Sequence, residues 1–183
     1  MIHQGHVLDV LRKMPDGLVD CIITSPPYWS LRDYKTEPQV WDGNDVCQHE
    51  WGEQIIKKAD GGLTKKQVTN QGSYFIDRSQ FCLYCNAWRG SLGLEPTYQL
   101  YLQHLMQVMA ECWRVLKKTG TLWVNIGDSY GGSAKGIGSN HGKAVFTDSD
   151  IRPTDWRKSG IPAKSLVGIP ERFAIAMTDA GWI

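Results

Sequence analysis

The 183-residue sequence has no apolar run longer than a few residues, which excludes an ordinary membrane-spanning helix. Met1 to Pro15 carries His6, Asp9, Arg12 and Lys13 where a secretory signal would place an apolar stretch. A cytoplasmic protein without a membrane partner is the expectation. Charge of one sign is also lacking. Lys and Arg number 20 against 19 Asp and Glu, a net +1, so the chain has no global basic footprint of the kind many nucleic-acid binders show. Cysteines are few and odd in number, five, which argues against a disulfide framework. No internal repeat is visible. The glycine-rich stretch 131–138 is not a phosphate-binding P-loop, because neither Lys135 nor Lys143 is followed by Ser or Thr.

What is present describes a soluble globular domain, since 42% hydrophobic and 21% charged residues are enough to build a core at this length. Charge survives locally. Lys57, Lys58, Lys65 and Lys66 stand against Asp60 alone. Further on, Lys135, Lys143, Arg152, Arg157, Lys158 and Lys164 outnumber Asp148, Asp150 and Asp155. Both stretches read as solvated polar loops, which permit a DNA partner without demanding one.

The order of elements predicts an α/β fold. Val19 to Thr24 reads as a buried strand stopped by Ser25-Pro26-Pro27, and Thr121 to Ile126 as a second strand running into Gly127. Between them, Tyr98, Tyr101, Leu102, Leu105, Val108, Met109, Cys112, Val115 and Leu116 recur at helical spacing. Thr97 is the expected N-cap, Lys117 and Lys118 suit the negative C-terminal end, and Gly120 is the expected stop. Strand, helix, strand is the pattern of a parallel crossover. Ile169 to Ala180 predicts a further helix with Pro170 in its first turn, and Trp182-Ile183 the opening of another strand. Two long polar segments, 29–96 and 131–165, interrupt this plan, and long loops in compact domains are usually functional or disordered. Cys21 and Cys112 fall at apolar positions and are expected in the core. His104 lies in the helix, solvated or packed.

Ser25-Pro26-Pro27-Tyr28 follows the first strand and so falls at the carboxyl edge of the sheet, where open α/β sheets bind ligands. Two prolines fix φ and remove both N–H donors, leaving a rigid turn rich in acceptors. The Ser25 hydroxyl and a proline carbonyl could together accept hydrogen bonds from an exocyclic NH2. Tyr28 and Trp29 offer flat faces for an extruded base. Taken alone, the tetrapeptide is better explained as a tight turn.

The wider stretch Asp20 to Tyr34 resembles the site-specific DNA amino-methyltransferases of bacteria and phages. So do Leu92-Gly93-Leu94-Glu95-Pro96-Thr97, Gly120 to Tyr130, and Leu166-Val167-Gly168-Ile169-Pro170. The blocks follow the family's order and cover nearly the whole chain. The resemblance implies part of a Rossmann-like class I methyltransferase sheet, with core residues 1–34 and 96–183 and a zinc-stapled insertion over 35–95. It implies double-stranded DNA as partner and transfer of a methyl group from S-adenosylmethionine (AdoMet) to the amine of a flipped base, in a restriction-modification setting. Ser25, Pro26, Pro27 and Tyr28 would be catalytic, Tyr28 and Trp29 would stack on the base, and Gly5, His6, Val7, Thr24 and Ser25 would touch the cofactor. Ser at the first motif position leans towards cytosine N4 over adenine N6. A homodimer stays open. The family's Phe-x-Gly-x-Gly AdoMet loop, which this motif order places C-terminal, is not found, and Gly5-His6 stands where relatives usually carry Gly-Asp. Residues 1–183 by themselves are therefore expected to bind AdoMet weakly or not at all. Two other readings remain: methylation of RNA or of a protein glutamine amide, whose motif commonly begins with Asn, and a zinc-stapled DNA-binding fragment.

Cys82-Leu83-Tyr84-Cys85 presents two thiolates on a knuckle, and Cys47-Gln48-His49 supplies a thiolate and an imidazole upstream. A redox pair or unrelated surface thiols would also fit these residues. Redox Cys-x-x-Cys normally sits in a different βαβ setting, and this segment is too poor in apolar residues to fold unaided, a deficit that a metal would make good. Members of the resembling family carry Cys-x-His and Cys-x-x-Cys here, which favours structural Zn2+ on Cys47, His49, Cys82 and Cys85.

Overall fold

A computed structural model describes residues 2–52, 54–56, 75–77, 80–131, 161–162 and 164–183. The lysine-rich stretch 57–66 and, apart from Gly131, the glycine-rich stretch 131–138 lie outside the described residues. Of the second basic segment only Lys164 lies within them. The chain divides into two compact units, residues Met1–Glu37 with Ser91–Ile183, and Pro38–Gly90.

In the first unit, α1 (Val7–Arg12) leads to β1 (Val19–Thr24), which pairs in parallel with β6 (Leu116–Val124) through α2 (Tyr98–Val115). A small parallel sheet joined by a helical crossover is the α/β arrangement that the sequence predicts. Thr97 caps α2 as expected, its side chain accepting from Leu100 N at 3.2 Å. Tyr98, Tyr101, His104, Leu105, Val108, Met109, Cys112 and Val115 form its buried stripe. Leu105 and Val115 are fully buried, so truncating Leu105 to Ala would cost about 2–5 kcal/mol. From the last turn of α2, Arg114 reaches back to the carbonyls of Leu11 (2.7 Å) and Met14 (2.9 Å). That contact satisfies the end of α1, a helix too short to stand alone.

The junction between α2 and β6 differs from expectation. The helix ends at Val115 and Leu116 is already extended, with φ −76° and ψ 137°. Lys117 and Lys118 thus belong to β6. Val19 pairs with Leu116 but Cys21 pairs with Thr121, so residues 117–120 bulge out of the ladder. Gly120 serves that bulge: a Cβ there would come within 2.9 Å of the Asp20 carbonyl oxygen. The regular part of the strand begins at Thr121, as the sequence indicates.

Cys112 is buried, but Cys21 is exposed, and Ile23 and Trp123 are 81% and 64% exposed. The apolar run suggested a strand covered on both faces. Among the described residues β1 has β6 as its one strand partner, and Cys21 and Ile23 border a cavity instead of packing into a closed core. α3 (Ile169–Asp179) forms where predicted, with Pro170 in its first turn, and Gly181 follows it at φ 94°. Trp182 does not open a strand; its ring meets Trp113 edge-on at 4.7 Å.

The second unit contains three short elements besides β2 (Gln39–Trp41): β3 (Gln54–Ile56), β4 (Phe75–Asp77) and β5 (Trp88–Gly90). β2 pairs antiparallel with β5, and β3 with β4. Among its described residues, Trp41, Cys82, Ala87 and Trp88 supply the buried apolar side chains. No helix among the described residues is long and apolar enough to cross a membrane.

Candidate active site and candidate metal centre

The turn after β1 is held from every side within its own unit. Tyr101 on α2 donates its hydroxyl to the Pro27 carbonyl at 2.9 Å. Ser129 donates to the Trp29 carbonyl at 2.7 Å, and Ser30 N to the Gly93 carbonyl at 2.7 Å. Gly93 has φ +92°, and a Cβ there would stand 3.0 Å from Pro27 Cβ and 3.2 Å from the Tyr28 carbonyl oxygen. Only glycine allows that approach without strain.

Ser25 is exposed, Pro26 buried, and Pro27 and Tyr28 half-buried. The two proline carbonyls are not equivalent. Pro27 is committed to Tyr101, whereas among the described residues the Pro26 carbonyl shows no such partner. The Ser25 hydroxyl likewise shows no hydrogen-bond partner among the described residues. The Tyr28 ring lies against Gly127, where a Cβ would come within 2.6 Å of the ring, and its hydroxyl donates to Asn125 Oδ1 at 3.3 Å. Asn125 N in turn donates to the Thr24 carbonyl at 2.9 Å, continuing the β1–β6 ladder to the start of the turn.

Trp29 requires a correction. It is 2% exposed, donates its indole N–H to the Glu95 carbonyl at 3.0 Å, and meets Tyr98 edge-on at 6.0 Å. A ring so enclosed anchors the turn and presents no face to a base. Sequence reasoning saw an aromatic beside the motif but could not see which way it turned.

A cavity of about 520 Å³ is lined by Thr24, Ser25, Pro26 and Pro27 and by Val7. Its remaining walls are mainly apolar side chains of α1, β1 and α2. Gly5 and His6 are not among its lining residues; His6 precedes α1, and burial lowers its pKa against the opposing pull of Asp9. Of the five residues expected to touch a cofactor, Val7, Thr24 and Ser25 share this cavity.

Three residues beyond the motif carry much of the arrangement. Tyr101 is fully buried, and burial, with Glu95 and Tyr28 nearby, pushes its pKa upward; it therefore stays a neutral donor. Asp128 spreads its carboxylate over Ser129 N (2.8 Å), Gly168 N (3.0 Å) and Ile169 N (2.9 Å), capping α3 from a distant loop. Glu95 is fully buried, as is His104. Asn125 to Asp128 and Leu92 to Glu95 were visible as motif blocks, but nothing in their spacing announced these roles.

In the second unit, Cys47, His49, Cys82 and Cys85 place one donor atom each within 4.8 Å of one another. Cys47 Sγ lies 3.8 Å from Cys82 Sγ, and Cys85 Sγ 3.4 Å from His49 Nδ1. A tetrahedral Zn2+ with ordinary bond lengths has S···S edges of about 3.8 Å and S···N edges of about 3.6 Å. The donor set fits that metal. The knuckle supports it: Asn86 turns back at φ 60°, its N–H donating to the Cys82 carbonyl at 3.0 Å, and Tyr84 N donates to Cys82 Sγ at 3.4 Å. Burial raises Cys47 to about 12, helped by Cys85 and Cys82 beside it. Burial also works against the Cys82 thiolate, but the Cys85 backbone, the His49 side chain and Tyr84 N outweigh it and lower Cys82 to about 6.

A family model described as DNA methylase matches residues 19–173. The Type II methyltransferase M.XycI of Xanthomonas campestris pv. cyanopsidis is 32% identical over 99% of this chain, and M.Cfr9I of Citrobacter freundii 30% over 99%. M.SmaI of Serratia marcescens is 26% identical over 97%. The chain spans 42% of the length of each of these three relatives. No solved structure matches it.

Proposed function

The chain belongs to the N6/N4 DNA methylase family, and from that membership we propose that it carries the base-facing half of a site that methylates an exocyclic amine of DNA, cytosine N4 in preference to adenine N6. The observation that carries the proposal is the pairing of two acceptors, the Ser25 hydroxyl and the Pro26 carbonyl, at the mouth of the cavity beside the half-exposed Tyr28 ring. AdoMet, when bound, supplies a methyl group made electrophilic by its sulfonium. Thr24, Ser25 and Val7 are the residues that would touch it. The apolar walls fit a methylene chain, but among the described lining residues no acidic side chain offers a partner to a ribose.

The chain's own contribution is positional and electrostatic. A flipped base rests on Tyr28, whose ring Gly127 holds at a fixed height. The exocyclic NH2 donates to Ser25 Oγ and to the Pro26 carbonyl, which raises electron density on the nitrogen. Holding the exocyclic nitrogen on these two acceptors would fix its orientation, and orientation supplies much of the acceleration in such transfers. No covalent enzyme intermediate is needed, and the exposed Cys21 has no part in this scheme.

Zn2+ on Cys47, His49, Cys82 and Cys85 would be structural, since four protein ligands leave no open position for water. A Rossmann-like sheet extending from the parallel β1–β6 pair, a cytoplasmic location and action on double-stranded DNA belong to the same reading. Transfer of tritium from labelled AdoMet by the full-length protein separates the substrate classes. The proposal expects label in duplex DNA. Label confined to RNA or to a glutamine-containing peptide would contradict it.

A further inference from the structure

Among the described residues of the first unit, Glu95 and His104 are fully buried, and neither takes part in the scheme above. Glu95 Oε1 lies 3.0 Å from His104 Nδ1, and Glu95 Oε2 accepts the Gly93 N–H at 2.8 Å. A buried carboxylate and imidazole are an expensive way to fill space, because apolar residues of like volume usually serve stability as well. The bonds that Glu95 makes to the Gly93 loop and to Trp29 lead to the turn after β1. Gly93 packs on Pro27 and takes the Ser30 N–H on its carbonyl. The Glu95 carbonyl takes the indole N–H of Trp29. One turn earlier on α2, Tyr101 holds the Pro27 carbonyl directly.

We propose that the Glu95–His104 pair is a positioning device for this turn, setting the Gly93 loop against Pro27 and Tyr28 and so fixing where the Ser25 hydroxyl and the Tyr28 ring stand. The helix then grips the turn at two points, through Tyr101 by one bond and through His104 by way of Glu95. The pair touches no substrate. It acts through the loop, and the inference rests on reading Ser25 to Tyr28 as the reacting turn.

The test compares His104→Leu with His104→Asn in the full-length protein, by methyl-transfer kinetics and residue-resolved amide exchange. Asn returns an N–H donor close to the place of Nδ1. Expected for His104→Leu is a fall in kcat of about tenfold or more with KM for DNA and AdoMet unchanged, the pattern of a misplaced reacting group. His104→Asn should recover most of that loss. Exchange should quicken at Ser30 and Gly93 while the Val108 to Cys112 amides of α2 stay protected. A folded His104→Leu protein with normal kcat and normal Ser30 exchange would overturn the proposal. So would exchange rising everywhere in step with a lost Tm, which marks a merely structural pair. If His104→Leu does not fold, Glu95→Gln takes its place: it keeps an acceptor for Gly93 and loses the charge, and unaltered kcat and Ser30 exchange there refute the device. Should Ser25→Ala retain full activity, or the wild type transfer no methyl group, the reading of the turn fails instead, and Ser30 exchange still judges the pair.

Discussion

Replacing Gly127 by Ala tests how tightly the Tyr28 ring is placed. A Cβ at 127 would stand 2.6 Å and 2.8 Å from Cε2 and Cδ2 of the ring, where ordinary carbon contacts begin near ~3.5 Å. The glycine backbone is part of a strand exit pinned by Asn125 and Asp128, so the ring must yield, by about 1 Å. A displacement of that size at a reacting centre can cost on the order of 10²-fold in rate, whereas overpacking at a half-exposed ring should cost stability only about 1–3 kcal/mol. The assay is single-turnover methyl transfer in the full-length protein, run beside thermal melting. Tyr28→Ala should itself abolish most transfer with Tm nearly unchanged, because the ring's hydroxyl makes only a 3.3 Å bond to an exposed Asn125. In the double variant the glycine change should then add little, since the ring it displaces is gone. Normal kcat in Gly127→Ala, or full additivity in the double variant, would refute the reasoning.

Two further outcomes follow from the geometry. Metal analysis of the purified protein should give one zinc per chain, and Cys85→Ser should lose it together with the folded signature of residues Pro38–Gly90; well under one equivalent in the wild type would defeat the four-ligand assignment. Asp128→Ala removes the acceptor for Gly168 N and Ile169 N and should cost about 1–2 kcal/mol in denaturant unfolding, and a loss below ~0.3 kcal/mol would show that α3 does not depend on this cap.

The sequence carried the local rules and missed the long-range ones. Thr97, the stripe from Tyr98 to Val115 and Pro170 act within a turn or two of their own positions, so spacing revealed them. The candidate metal donors were legible because thiol and imidazole spacings imply a common partner, although their approach to within 4.8 Å is a tertiary fact. Cys21 and Trp29 were misread for one reason. Apolar or aromatic character says that a residue can be buried, and only the neighbouring elements decide which residues are. Cys21 borders a cavity and stays exposed, while Trp29 turns inward because the Glu95 carbonyl offers its N–H a partner. Glu95, Tyr101 and Asp128 gain their roles by bonds to residues 66, 74 and 41 positions away. No local window contains such a pair.

The central claim is that Ser25 and the Pro26 carbonyl receive an exocyclic amine of DNA. Mass spectrometry of nucleosides from duplex DNA treated with the full-length protein and AdoMet tests it most directly, with Ser25→Ala run in parallel. The account predicts N4-methyldeoxycytidine, strongly reduced in the Ser25→Ala reaction. N6-methyldeoxyadenosine would keep the reaction class and overturn the cytosine preference. Methylation at carbon, as 5-methyldeoxycytidine, or a full yield from Ser25→Ala, would contradict the account.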